Sequence, residues 1–118
     1  MCVPALSVDA YFAARTKTER EIFEAVQGHL ASLGPLIVEA VGVGILFKRQ
    51  RTFAELRPKT RWVDLGIGLD RRLEDPRITR TSRGSGSRIY HGIRVRSAAD
   101  VDDQVRAWLT ESYVEFAA

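Results

Sequence analysis

The sequence predicts an α+β domain: two N-terminal helices, a mostly antiparallel sheet of about four or five strands, and one C-terminal helix packed on one sheet face. Three observations carry this. Apolar residues recur at helical spacing up to Leu33, alternate one by one through the stretches around Val63 and Ile93, and return to helical spacing beyond Ser97. A chain of 118 residues suffices for one core. It is assigned to residues 8–116, with residues 1–7 as a terminal extension.

In SVDAYFAARTK, Ser7 has the side chain of an N-cap, and Val8, Tyr11 and Phe12 share one helical face. Thr18 with Glu21 matches a capping box for the second helix, whose stripe is Ile22, Phe23, Val26, Leu30 and Leu33 and whose end is marked by Gly34 and Pro35. LIVEAV extends that helix or enters a strand, since a short apolar run does not discriminate. VGVGILFK reads as a strand with Val41, Val43, Ile45 and Phe47 on one side, followed by TFAELRP. WVDLGIGLD sets Val63, Leu65, Ile67 and Leu69 against Trp62, Asp64, Gly66 and Gly68.

Residues 71–88 read as a long connection and the least ordered segment, with a turn at Asp75–Pro76 and small polar residues in SRGSGS. IYHGIRVRS is the next strand: Ile89, His91, Ile93 and Val95 face the core, and Tyr90, Gly92, Arg94 and Arg96 face away. Ser97 is the expected N-cap of the last helix, with Asp100 in the capping-box position and Val101, Val105, Trp108, Leu109 and Tyr113 as its stripe. The outward sheet face then collects Gly42, Gly44, Gly66, Gly68 and Gly92, a shallow platform with an aromatic and basic margin.

Charge is segregated. Residues 48–96 hold fourteen basic and five acidic side chains, whereas residues 1–47 hold three and five, and residues 97–118 one and five. A basic middle is the footprint of an anionic partner, and arginines on exposed strands also keep sheet edges from pairing. No apolar run is long enough for a membrane span, the start lacks a signal-peptide pattern, and the lone Cys2 makes no internal disulfide, so a cytoplasmic location without membrane contact is expected.

YF at 11–12, LGP at 33–35, FKRQRTFAELRPK at 47–59, LGIGLD at 65–70, LEDPR at 73–77 and YHGIRVRSAADVDDQVRAWLTESY at 90–113 together resemble the bacterial family known as domain of unknown function 5655, over residues 8–114. The resemblance implies no settled activity. Family members are loosely labelled predicted transport proteins, and similar domains are appended to larger proteins, some linked to nucleic-acid processing. The chain departs from the family's pattern at Gly42, Gly44 and Gly92.

Chemistry-bearing patterns are few. Cys2, His29 and His91 lack metal-site spacing, and no nucleophile elbow, dinucleotide fingerprint or Walker pattern is present, so no metal or cofactor is expected. The core-side parity of His91 suits a hydrogen-bonded core histidine, and its alternative is a proton-sensitive or ligand-binding group. RGSGSR could wrap an anion between Arg83 and Arg88, or be a plain loop. Single-stranded nucleic acid asks for cations along its backbone and rings under its bases. Lys48, Arg49, Arg51, Arg57, Lys59, Arg61, Arg94 and Arg96 with Trp62 and Tyr90 supply both kinds. The leading expectation is thus a non-enzymatic binding domain for an anionic partner such as nucleic acid. The alternatives are a protein-interaction or homodimerisation module using the glycine-lined face, and an enzyme on a small anionic substrate using His91.

Overall fold

The computed structural model describes residues 7–117. Cys2 and the rest of residues 1–6 lie outside the described residues. Two helices, α1 (Val8–Ala13) and α2 (Lys17–Ala31), precede six strands: β1 (Ile37–Val41), β2 (Gly44–Lys48), β3 (Thr52–Pro58), β4 (Val63–Leu69), β5 (Ile78–Arg83) and β6 (Ile89–Val95). A 3-10 turn (Ala98–Asp100), helix α3 (Asp103–Glu111) and a π-helical turn (Ser112–Phe116) complete the chain. The sheet is antiparallel throughout, in the order β1-β2-β3-β4-β6-β5.

The helix starts follow capping chemistry. Ser7 accepts from Ala10 N–H, and the capping box of α2 is Thr16 with Glu19, two residues before the expected pair Thr18 and Glu21. Both pairs fit the pattern, and in the helix that starts from Thr16 the residues Ile22, Phe23, Val26 and Leu30 are all buried. The last helix, by contrast, starts later than expected. Asp102, not Ser97, caps it through Val105 N–H, and Ser97 opens only the 3-10 turn with no side-chain cap bond.

LIVEAV resolves as a strand, and VGVGILFK is not one strand: Val41 pairs with Gly44 across a turn at Gly42–Val43, which leaves Val43 exposed. Gly44 is needed there, because a Cβ would run into the Leu56 carbonyl oxygen, whereas at Gly28 in α2 it would meet nothing. Gly44→Ala is expected to lower stability by roughly 2 to 3 kcal/mol through backbone displacement, while Gly28→Ala should raise it by about 0.5 to 1 kcal/mol. Urea midpoints of the two variants check the contrast.

Residues 71–88 carry the largest departure from expectation. They contain β5, which makes six strands where four or five were expected. Its residues are nearly all exposed, so it shows no core face; Ile78, Thr79 and Thr81 favour extended backbone, and Arg80 and Arg83 guard the sheet edge. Because β5 and β4 run in the same direction on either side of β6, residues 70–77 must cross from one end of the sheet to the other. They cross on the helical face, where Leu73 joins the core.

The core lies between this inner face and the helices. Val63, Leu65, Ile67, Leu69, Ile93 and Val95 meet Ile22, Val26 and Leu30 of α2 and Val105, Trp108 and Leu109 of α3. The π-helical turn then rounds the end of the sheet. Ser112 Oγ sits 2.5 Å from the Gly68 carbonyl oxygen, and Phe116 lands on the outer face over Gly68.

Candidate functional site

The basic side chains that are close in sequence are separated in space. The β2–β3 turn, with Arg49 and Arg51, and the β3–β4 turn, with Lys59, Arg61 and Trp62, stand at opposite ends of β3. A seven-residue strand sets them roughly 20 Å apart. Strand β6 divides its residues likewise, with Tyr90 at the first end and Arg94 and Arg96 at the second.

At the first end the cations serve the fold. Arg49 donates to the Tyr113 carbonyl at 3.1 Å and its guanidinium lies 4.8 Å from that ring's centroid. Arg51 and Arg88 flank the Phe116 ring at 5.7 and 6.0 Å, and Tyr90 meets Phe116 edge-on. Lys48 pairs with Glu39 at 3.0 Å; Arg57, at the other end of β3 opposite Asp64, is likewise engaged, with Glu55 at 3.3 Å. These interactions anchor the C-terminal turn and the hairpins.

The second end is different. Among the described residues, Lys59, Arg61 and Arg96 have no ion-pair partner. The half-buried Trp62 carries the Arg94 guanidinium 4.3 Å from its ring centroid. Two hollows open beside it. One, of about 240 Å³, lies towards the first turn of α2 and is bounded by Thr16, Thr18, Glu19, Arg61 and Arg96. The other, of about 220 Å³, lies on the outer sheet face and is bounded by Asp64, Thr79, Arg80 and Arg94. Lys59 and Trp62 border both. Each is smaller than a drug-sized pocket and of a size to take a phosphate or a sugar.

Thr16, Thr18, Glu19, Thr79 and Arg80 were absent from the sequence-based site. The β-branched run ITRT could have signalled a strand at Arg80; nothing local signals that α2 starts beside the β3–β4 turn.

The outer face is not a bare platform. The Glu55 side chain lies against Gly66, Phe116 over Gly68, and the Asp64–Arg80 ion pair (2.9 Å) over Gly92. Gly42 is in a turn and Gly44 at a close backbone approach, so the five glycines do not form one open surface.

His91 is fully buried with both ring nitrogens committed. Nε2 accepts from Leu73 N–H at 3.0 Å, and Nδ1, which must therefore carry the proton, donates to the Ile67 carbonyl at 3.2 Å. The imidazole thus pins the segment that crosses from β4 to β5. Arg71 paired with Glu111 and Arg77 paired with Asp102 tie the same segment on either side. Burial holds the His91 pKa below the ordinary histidine value, and burial does the same for His29, whose Nε2 lies 2.8 Å from Thr110 Oγ1. The unfolded chain therefore binds protons that the folded one refuses. Stability should be full above about pH 6.5 and fall below it, by up to about 1.4 kcal/mol per pH unit for each group. Urea midpoints at several pH values check this; a flat profile would mean that both rings protonate in place.

Among the described residues no three His, Cys, Asp or Glu side chains gather where they could hold a metal ion, and no helix is long and apolar enough to cross a membrane. The architecture is that of a small α+β domain with helices on one face of an antiparallel sheet and a basic, tryptophan-centred surface at one end. The chain belongs to the family described as domain of unknown function 5655, whose family model matches residues 8–115. Neither a curated protein nor a solved structure matches it.

Proposed function

We propose that the protein is a non-enzymatic binding domain for single-stranded nucleic acid, held at the β3–β4 end of the sheet. The observation that carries this reading is Trp62 between two hollows, with Lys59, Arg61 and Arg96 free of ion pairs among the described residues and Arg94 stacked on the indole. Cations without partners are poised to exchange condensed counterions for phosphates, and an indole with one face covered by a guanidinium keeps the other for a base. Tyr90 lies too far along β6 to stack a neighbouring base, so Trp62 is the single stacking platform of this reading. The catalytic alternative would need His91, which is sealed in the core and spends both nitrogens on backbone groups.

Fluorescence anisotropy of labelled single-stranded DNA and RNA, with duplex DNA alongside, tests the reading between about 50 and 200 mM salt. Three phosphates neutralised on a single strand correspond to a log–log salt slope of about −2. Trp62→Ala is expected to weaken binding by about 1 to 3 kcal/mol, and Lys59→Ala with Arg61→Ala to flatten the slope by about 0.7 unit for each phosphate no longer held. Arg49→Ala with Arg51→Ala should leave the slope unchanged. No binding at low salt would sink the nucleic-acid reading. Self-association would then lead, with the exposed Ile37 and Val43 of the β1–β2 hairpin as its apolar surface.

A further inference from the structure

We propose that the hollow between Trp62 and the start of α2 takes a terminal phosphomonoester, so that the domain holds the phosphorylated end of a strand; this rests on the nucleic-acid reading above. Charge favours such an end. Lys59, Arg61 and Arg96 face one carboxylate, Glu19, whose Oε1 is tied to Thr16, so the hollow carries a surplus of two positive charges. An internal phosphodiester brings one negative charge, whereas a phosphomonoester brings close to two at neutral pH and three acceptor oxygens. Each guanidinium can reach such a group with two parallel donors. Shape favours it as well. The hollow is lined on its inner side by the buried Ile22, Val63 and Val95 and flanked by the first turn of α2, and at about 240 Å³ it has room for a compact group such as a phosphate rather than a length of chain.

Past Trp62 the situation reverses. The second hollow opens onto the outer sheet face between β4, β5 and β6, and Arg94 and Arg80 border it, Arg80 already neutralising Asp64. That arrangement suits a singly charged internal phosphate. The site therefore has a direction: the terminal phosphate lies by α2, the first base on the open face of Trp62, and the next phosphate near Arg94.

The test is anisotropy with short oligothymidylate and oligouridylate labelled at the far end, each carrying a 5′-phosphate, a 3′-phosphate or free hydroxyls. One phosphorylated end should bind the wild-type protein roughly tenfold tighter than the hydroxyl form, the gain expected of added charge-assisted hydrogen bonds. In Arg61→Ala/Arg96→Ala, two exposed positions, both forms should bind more weakly and the ratio of their affinities should fall to about one, the phosphorylated form losing roughly tenfold more than the hydroxyl form; a thermal midpoint near wild type verifies the fold. Equal binding of all three ends by the wild-type protein would overturn the proposal and leave the nucleic-acid reading standing. So would a phosphate advantage that survives in the double variant, because the phosphate would then lie elsewhere. If none of the oligonucleotides binds, both fall together.

Discussion

Replacing His91 with alanine is expected to cost the fold about 4 to 6 kcal/mol, a large part of what a domain of this size has. The ring is fully buried and joins two backbone groups: the Leu73 N–H, from which it accepts, and the Ile67 carbonyl, to which it donates. Alanine removes both partners at once, and each stranded buried group costs about 1 to 3 kcal/mol. The vacated volume adds a cavity term. The damage should be localised, because Leu73 lies in the middle of the segment that carries the chain from β4 across the sheet to the edge strand β5. Chemical denaturation followed by circular dichroism reads the loss, and amide exchange should show β5 losing protection first. A loss below about 1 kcal/mol would mean that water replaces the ring and that His91 is dispensable to the crossing.

Trp108→Ala is expected to cost about 3 to 5 kcal/mol. The indole is buried in α3 against the inner sheet face, and the Arg77 guanidinium lies 5.1 Å from its centroid. That arginine also pairs with Asp102 at 2.8 Å, and Asp102 caps α3. A hydrogen bond from the Val105 N–H and the charge of Arg77 hold the Asp102 carboxyl below the usual carboxylate range. Removing the indole thus also loosens the stack that positions Arg77 between the helix start and β5. Near-normal stability would show that Trp108 contributes little to the core. Arg77→Ala, which keeps the indole but loses the half-exposed guanidinium, should cost less than Trp108→Ala, since an ion pair open to solvent is worth about 1 kcal/mol or less.

Particular residues show which features were legible in the sequence and which were not. The inner faces were legible because alternation is local: Val63, Leu65, Ile67 and Leu69, and His91, Ile93 and Val95, are all buried as their spacing requires. The stripes of α2 and α3 were legible for the same reason, and the core position of His91 followed from parity alone. Strand β5 was not, because an edge strand exposed on nearly all its residues has no apolar period, and its arginines and threonines resemble those of a loop. Cap positions slipped where two residues of the right type compete, as Thr16 with Thr18 and Asp102 with Ser97, because both members of each pair satisfy the local pattern.

The candidate site divides in the same way. Composition located the basic segment and named Lys59, Arg61, Trp62, Arg94 and Arg96. It could not separate them from Lys48, Arg49, Arg51, Arg57 and Tyr90, which the fold spends on Glu39, Tyr113, Phe116 and Glu55. By itself the sequence determined the α+β class, the buried face of each long element and the gathering of basic side chains between residues 48 and 96, because hydrophobic period and charge run are properties of short stretches. Only the tertiary structure decided which cations remain unpaired, because pairing depends on side chains brought together from distant parts of the chain: the start of α2, the β3–β4 turn and the end of β6.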